Sequence, residues 1–264
     1  MPDVLAHNER AATTWGAGGR EYDQVSEYIS DSLAHIVNRI VPKPGECILD
    51  VATGTGYTAR LLASRGASVT GVDIGRGVIE AAKALSPSID FRVADAEALP
   101  FGDASFEVVI STFGVMFVAD PKVAAQELAR VCKSGGRLGL VSWVPEGTVA
   151  GLFGIMRPYL PPPSGSPPPS PFEWGRPERI RELLGDDFDL KFETGTTTLR
   201  MPDGGAIWDM FLAGFGPTKA LSASLDEARR EQLKHDFIAY HERYLTDLGV
   251  TMPRDYLIAL GRRK

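Results

Sequence analysis

Hydrophobic positions change their period along this chain, and each change marks an element. Val25, Tyr28, Ile29, Leu33, Ile36, Val37 and Ile40 recur at helical spacing. That helix stops before Pro42-Lys43-Pro44-Gly45, which reads as a turn. Short apolar runs then alternate with amphipathic stretches. Residues 47–51, 68–72, 89–93, 106–111 and 137–143 read as strands, with helices over 57–65, 76–85 and 121–132. Runs such as Val108-Val109-Ile110 lack alternation, as strands buried on both faces do. Repeated strand–helix units predict a parallel, doubly wound α/β sheet with right-handed crossovers. Such sheets bind ligands at the C-terminal strand ends, where the strand order reverses.

The flanks differ from this core. Residues 1–20 are mixed and carry the cluster Gly16-Ala17-Gly18-Gly19, which predicts a flexible arm. After Trp143 the composition shifts, and residues 158–171 hold eight of the 19 prolines. Such a stretch is stiff and has no core of its own, and it is read as an ordered or semi-ordered lid connector. A short helix is expected at 177–184, a strand at 188–200, helices at 204–215 and 225–247, and a last strand at 256–260. This divides the chain into a helical arm (1–44), a nucleotide-binding core (45–145), a proline-rich connector and lid (146–186), and the last strands with a helical cap (187–264).

Composition narrows the class. The 264 residues are 44% hydrophobic and 23% charged, as in a soluble globular protein. A diffuse net charge of −6 argues against nucleic acid or an anionic membrane surface as the main partner. The two cysteines, Cys47 and Cys132, are expected as buried reduced thiols, and no spacing suggests a metal. The N-terminus lacks signal-peptide character and the run 108–118 is too short to span a bilayer, so a cytoplasmic protein is expected.

The chemistry gathers at 48–59. A short apolar strand turns on Gly54 and Gly56 into a helix whose N-terminus offers free N–H groups. Gly54-x-Gly56-x-x-Ala59, with Asp73 ending the second strand, satisfies the relaxed dinucleotide fingerprint, which leaves an NAD-type dehydrogenase open. Asp50, before the glycines, suits a cationic ligand group better than a pyrophosphate. Asp95, after the third strand, is placed to accept from an adenine amino group. No second nucleotide-binding half is evident.

Asp50-Val51-Ala52-Thr53-Gly54-Thr55-Gly56, Gly71-Val72-Asp73-Ile74 and Ala94-Asp95-Ala96-Glu97-Ala98-Leu99-Pro100-Phe101 resemble successive motifs of class I S-adenosylmethionine-dependent methyltransferases. The match is nearest to the ubiquinone/menaquinone-biosynthesis-like, type 11 group. Phe106 to Ser111 and Glu127 to Arg137 continue the pattern, so the resemblance spans roughly 45–145. It implies a Rossmann-like seven-stranded sheet whose last strand is antiparallel and lies between the fifth strand and the 188–200 strand. It implies S-adenosylmethionine as methyl donor and S-adenosylhomocysteine as product. It further implies Asp50 near the methionine ammonium, with the backbone of Ala52, Thr53, Gly54, Thr55 and Gly56 lining that part. Asp73 would hold the ribose hydroxyls, Ile74 would pack on the adenine, and Asp95 and Ala96 would meet its edge. Ser111 and Thr112 would face the sulfonium, and Tyr22 would close over the cofactor. The chain departs from the pattern at Thr53, where Cys or Gly is usual, and at Met116-Phe117, where many relatives carry two histidines.

Methyl transfer from a sulfonium needs alignment and a dry pocket more than a base. His35 is expected to be structural; His241, on the long C-terminal helix, either looks into the pocket or lies at the surface, the latter being the expectation, so the catalytic residues stay unknown and no metal is assigned. The acceptor site is expected between the N-terminal helix and the cap, with Trp15, Met116, Trp143, Phe153, Trp174 and Trp208 as its walls. A small or medium, apolar or aromatic molecule, quinone-like or natural-product-like, is the expected acceptor. A non-catalytic nucleotide-binding or sensing protein and an NAD-dependent oxidoreductase stand as the alternatives.

Overall fold

The computed structural model describes residues 3–162 and 170–264. Eight strands form one sheet: β1 (Cys47–Val51), β2 (Ser68–Asp73), β3 (Asp90–Val93), β4 (Phe106–Thr112), β5 (Cys132–Trp143), β6 (Phe188–Met201), β7 (Leu245–Thr246) and β8 (Gly249–Arg263). The order is β3-β2-β1-β4-β5-β8-β6, with β7 paired to β8 off this path. Strands β1 to β5 pair in parallel, while β8 runs antiparallel to both β5 and β6. The doubly wound sheet with its inserted antiparallel last strand is therefore present. Its order reverses between β1 and β4, whose C-terminal ends open side by side. Ile48, Leu49, Val51, Val108, Val109 and Ile110 are fully buried, as unalternating central strands require.

The helices are α1 (Glu9–Gly16), α2 (Tyr22–Glu27), α3 (Ser30–Ile40), α4 (Tyr57–Ala63), α5 (Arg76–Leu85), α6 (Pro121–Val131), α7 (Thr148–Met156), α8 (Pro177–Leu184), α9 (Gly204–Gly214), α10 (Gly216–Ser224) and α11 (Glu227–Glu242). In α3, Leu33, Ile36, Val37 and Ile40 form the buried stripe, and Val41 ends it in a left-handed conformation before Pro42. Helix α6 starts where the Asp120 carboxylate accepts from the N–H groups of Lys122 and Val123, with Pro121 in its first turn.

Several boundaries differ from expectation. The arm is helical from Ala6 onward and not irregular. The helix expected from 25 to 40 breaks at Tyr28–Ile29, and the Ile29 carbonyl then accepts from the Ser32 hydroxyl as well as from the N–H groups of Ser32 and Leu33 that start α3. The long C-terminal helix ends at Glu242, and the chain then turns through a small hairpin that uses Gly249 at a φ of +99°. The last strand is correspondingly much longer than 256–260. Cys47 is exposed, so only Cys132 is a buried thiol. Half of the connector expected at 158–171, residues 163–169, lies outside the described residues.

Helices α7, α9, α10 and α11 cover one end of the sheet and hold a second core of their own, built on Trp208, Phe211, Leu233 and Phe237. No helix among the described residues is long and apolar enough to cross a membrane.

Candidate active site

The turn after β1 is built from backbone. Ala52, Gly54 and Gly56 take positive φ values of 58°, 57° and 83°. A Cβ on Gly56 would sit 2.5 Å from the Phe91 ring, and one on Gly114 would sit 2.3 Å from the Ala52 Cβ. Only glycine lets the turn close against β3 at the first place and against the loop after β4 at the second. Ala52 and Phe113 (φ 58°) are non-glycine residues held in this strained region on facing loops, a placement typical of functional clefts.

Three acids stand at successive strand ends. Asp50 is fully buried; its Oδ2 accepts from the Thr53 hydroxyl at 2.6 Å and its Oδ1 has no partner. Burial pushes its carboxyl up to about 7, against the Thr53 hydrogen bond and helped by the nearby Asp73 charge. Asp73 accepts from the N–H of Gly54 at 2.9 Å and of Gly75 at 2.8 Å, and burial holds its carboxyl above the ordinary range despite those bonds. Asp95 accepts from the Leu5 N–H at 3.1 Å, the Asn8 amide at 2.9 Å and the Glu97 N–H at 3.0 Å. The arm is thus tied down onto the third strand end. A second tie joins His7 to Glu97 at 2.8 Å, and this bond raises the His7 pKa.

These elements enclose a cleft of about 750 Å³, open mouth included. Of the residues named from sequence, Tyr22, Ala52, Gly54, Asp73, Ile74, Asp95, Ala96 and Thr112 line it. Asp50, Thr53, Thr55, Gly56 and Ser111 do not line it and lie behind or beside it. Thr55 donates to Asp23 at 2.8 Å, and the Ser111 hydroxyl accepts from the Val115 N–H at 3.1 Å. Tyr22 packs over Gly54, and burial together with the Asp73 charge raises its phenol pKa. Asn8, Phe113 and Gly114 line the cleft without having been picked out from sequence.

A second cavity, of about 600 Å³, adjoins the first. Trp15, Tyr22, Phe113 and Phe117 belong to both walls. Its depth is aromatic and aliphatic: Trp143 stacks on Phe113 at 3.8 Å, and Leu152, Phe153 and Phe211 face the same space. Trp15, Trp143 and Phe153 are therefore cavity walls. Met116, Trp174 and Trp208 are not; each is buried in packing, Met116 and Trp174 in the core of the sheet and Trp208 edge-on to Phe237 in the cap.

The histidines divide in the same way. His35 bonds to the Tyr256 hydroxyl at 2.9 Å and to Glu193 at 3.1 Å, a structural link between α3 and the sheet. His241 corrects the expectation of a surface residue, because it is fully buried and lines the second cavity. The Phe237 carbonyl can only accept, so His241 Nδ1 carries the proton of their 2.8 Å bond and Nε2 is left as a lone acceptor without a partner. Burial lowers its pKa to about 4, so the ring is neutral at physiological pH. Beside it lies Arg254 of β8, a buried cation absent from the sequence-based site.

A reversal point flanked by a glycine turn and three acids is the kind of place where doubly wound sheets bind nucleotide-like ligands, and here a second cavity adjoins it. Residues 49–140 match a family model described as a methyltransferase domain. Uncharacterized protein Rv1405c of Mycobacterium tuberculosis is 34% identical over 270 residues, covering 99% of this chain and 96% of that protein. A demethylmenaquinone methyltransferase of Renibacterium salmoninarum is 42% identical over 103 residues, 39% of this chain and 44% of that enzyme. The fold is also similar to an N-methyltransferase of Haemonchus contortus solved with phosphomonomethylethanolamine and S-adenosylhomocysteine, at a TM-score of 0.55 and 20% identity over 88% of this chain and 52% of that one. The chain belongs to the class I S-adenosylmethionine-dependent methyltransferases, in the ubiquinone/menaquinone-biosynthesis-like, type 11 group.

The residues present suit that cofactor. Asp73 and Ile74 face the cleft, and Asp50, buried behind its lining, keeps a carboxylate oxygen without a partner.

Proposed function

We propose that this chain transfers a methyl group from S-adenosylmethionine to a small or medium, apolar or aromatic acceptor held in the second cavity. The observation that carries this reading is the wall shared by the two cavities, Trp15, Tyr22, Phe113 and Phe117. A donor on one side and an acceptor on the other would meet across aromatic faces.

When bound, S-adenosylmethionine supplies a methyl group already activated by its sulfonium charge. The chain then has three tasks. Asp73 holds the ribose hydroxyls, Ile74 and Ala96 pack on the adenine, and Asp95 accepts from the adenine edge once the arm yields its hydrogen bonds. Asp50 balances the ammonium of the methionine part, and the Ala52–Gly56 backbone lines it. The aromatic wall excludes water and fixes the approach, which supplies most of the acceleration for an activated donor. Tyr22 and Phe113 face any cation at the boundary with their rings.

Incubation with methyl-labelled S-adenosylmethionine and a panel of quinone-like and aromatic small molecules tests this. Label is expected in the extractable small-molecule fraction. Label found only in protein or nucleic acid, or none at all with cofactor bound, contradicts it.

A further inference from the structure

Arg254 lies at a position where a charge is out of place. Along β8 the inward-facing positions are Val250, Met252, Arg254 and Tyr256, all buried, while Thr251, Pro253 and Asp255 between them are exposed. Arg254 is only 4% exposed. Among the described residues no carboxylate reaches it, and no hydrogen-bond acceptor engages its guanidinium. Its one close neighbour of note is the Phe211 ring, 5.8 Å below the guanidinium carbon. Burial without a counter-charge pushes its pKa down to about 10, with the Tyr240 phenol offering only slight relief. An unpaired buried guanidinium is costly, and chains keep such groups where a ligand completes them.

The surroundings say what that ligand carries. Among the described residues, Arg254 is the sole charged side chain on the wall of the second cavity. His241 beside it is neutral and, with Nδ1 donated to Phe237, offers only a lone pair. The rest of the wall is aromatic and aliphatic apart from Thr148 and the Tyr22 phenol. The cavity therefore presents one cation, with the His241 Nε2 lone pair beside it, in a largely apolar box.

We propose that the methyl acceptor is an acid: an aromatic or apolar body bearing an anionic oxygen group that pairs with Arg254. This rests on the reading of the second cavity as the acceptor site. Arg254 is a binding residue in it and selects anions over neutral analogues. His241 accepts a hydrogen bond from a hydroxyl or amine of the same molecule.

The probes are 1-naphthoate and its neutral isostere 1-naphthamide, titrated calorimetrically into the full chain with and without saturating S-adenosylhomocysteine. The acid should bind roughly 10- to 100-fold more tightly than the amide, as a desolvated charged pair gives. Arg254→Met should erase that preference, and Arg254→Lys should retain part of it. Both variants should bind S-adenosylhomocysteine as the wild type does, which also shows that they are folded. Equal or absent binding of acid and amide to the wild type overturns the proposal, as does a preference that survives Arg254→Met. A loss of S-adenosylhomocysteine binding in Arg254→Met, with Arg254→Lys restoring it, also overturns it and places the guanidinium on the cofactor. A wild type that prefers the acid yet binds no S-adenosylhomocysteine overturns the methyl-acceptor reading and leaves only an anion-binding cavity at Arg254.

Discussion

The two halves of the site are built by different means. The cleft proposed for the cofactor is made of backbone and short acids: a turn with three positive φ values, and Asp50, Asp73 and Asp95 at consecutive strand ends. Its parts lie within one sheet and within about fifty residues of one another, so strand register alone sets their spacing. The aromatic cavity proposed for the acceptor is made of large side chains from α1, α2, α7, α9, α11, β5 and β8, and its polar groups are one imidazole, one guanidinium, Thr148 and the Tyr22 phenol. The first is a fixed cradle that many sequences can share. The second is a surface assembled by tertiary packing, free to change its lining without disturbing the sheet.

The sharpest way to break this division is to remove one charge from each half. Asp73→Ala should weaken S-adenosylhomocysteine binding by roughly 4 kcal/mol, two charge-assisted hydrogen bonds, in a calorimetric titration. Arg254→Met should leave that affinity unchanged.

Asp50 gives a pH test of the cofactor half. Its carboxyl titrates near 7 when folded and near 3.8 when unfolded. The folded state therefore binds the extra proton between these values, and the apo protein loses stability as pH rises through that window. His241, lowered to about 4, acts in the opposite sense between pH 4 and 6.5, because there the unfolded chain binds the extra proton. The two effects overlap, so the measurement is a difference. From pH 4 to 7.5 the wild type should lose on the order of 3 kcal/mol relative to Asp50→Asn in urea unfolding. Cofactor affinity should rise with pH through 7 in the wild type and stay flat in Asp50→Asn. Parallel stability curves for the two proteins would argue against an ionising Asp50.

A smaller effect probes the seam between the halves. Gly114→Ala puts a methyl group 2.3 Å from the Ala52 Cβ, forcing the two loops apart. A stability loss of about 2 kcal/mol is expected, with weaker binding on both sides. Smaller again is His35→Ala, which removes the bonds to Tyr256 and Glu193. It should cost about 1 kcal/mol in thermal unfolding and leave both ligands' affinities alone.

The same division explains what could be read from the chain alone. Strands buried on both faces announce themselves as apolar runs, and the acids follow those runs directly, so the cleft's lining from Ala52 to Thr112 was legible. The arm was not, because α1 buries no complete residue of its own and holds its place through Asn8 and Trp15. Arg254 escaped because Pro253 interrupts the alternation that leads to Tyr256, and proline within a run argues against a strand. Stepping back from Tyr256 two residues at a time places Arg254 and Met252 inward. His241 was misplaced because α11 buries only a narrow stripe, Leu233, Phe237, Tyr240 and His241, on an otherwise polar helix. Trp174 and Trp208 show the opposite error. Aromatic residues near a cavity are as readily spent on the core around it, and only packing decides which.

The central claim is that the acid-lined cleft takes S-adenosylmethionine and the adjoining aromatic cavity takes its partner. Calorimetric titration of the purified chain with S-adenosylhomocysteine and, separately, with NAD tests it most directly. Saturable binding of one S-adenosylhomocysteine per chain and no heat with NAD are expected. Binding of NAD without S-adenosylhomocysteine, or binding of neither, would contradict it.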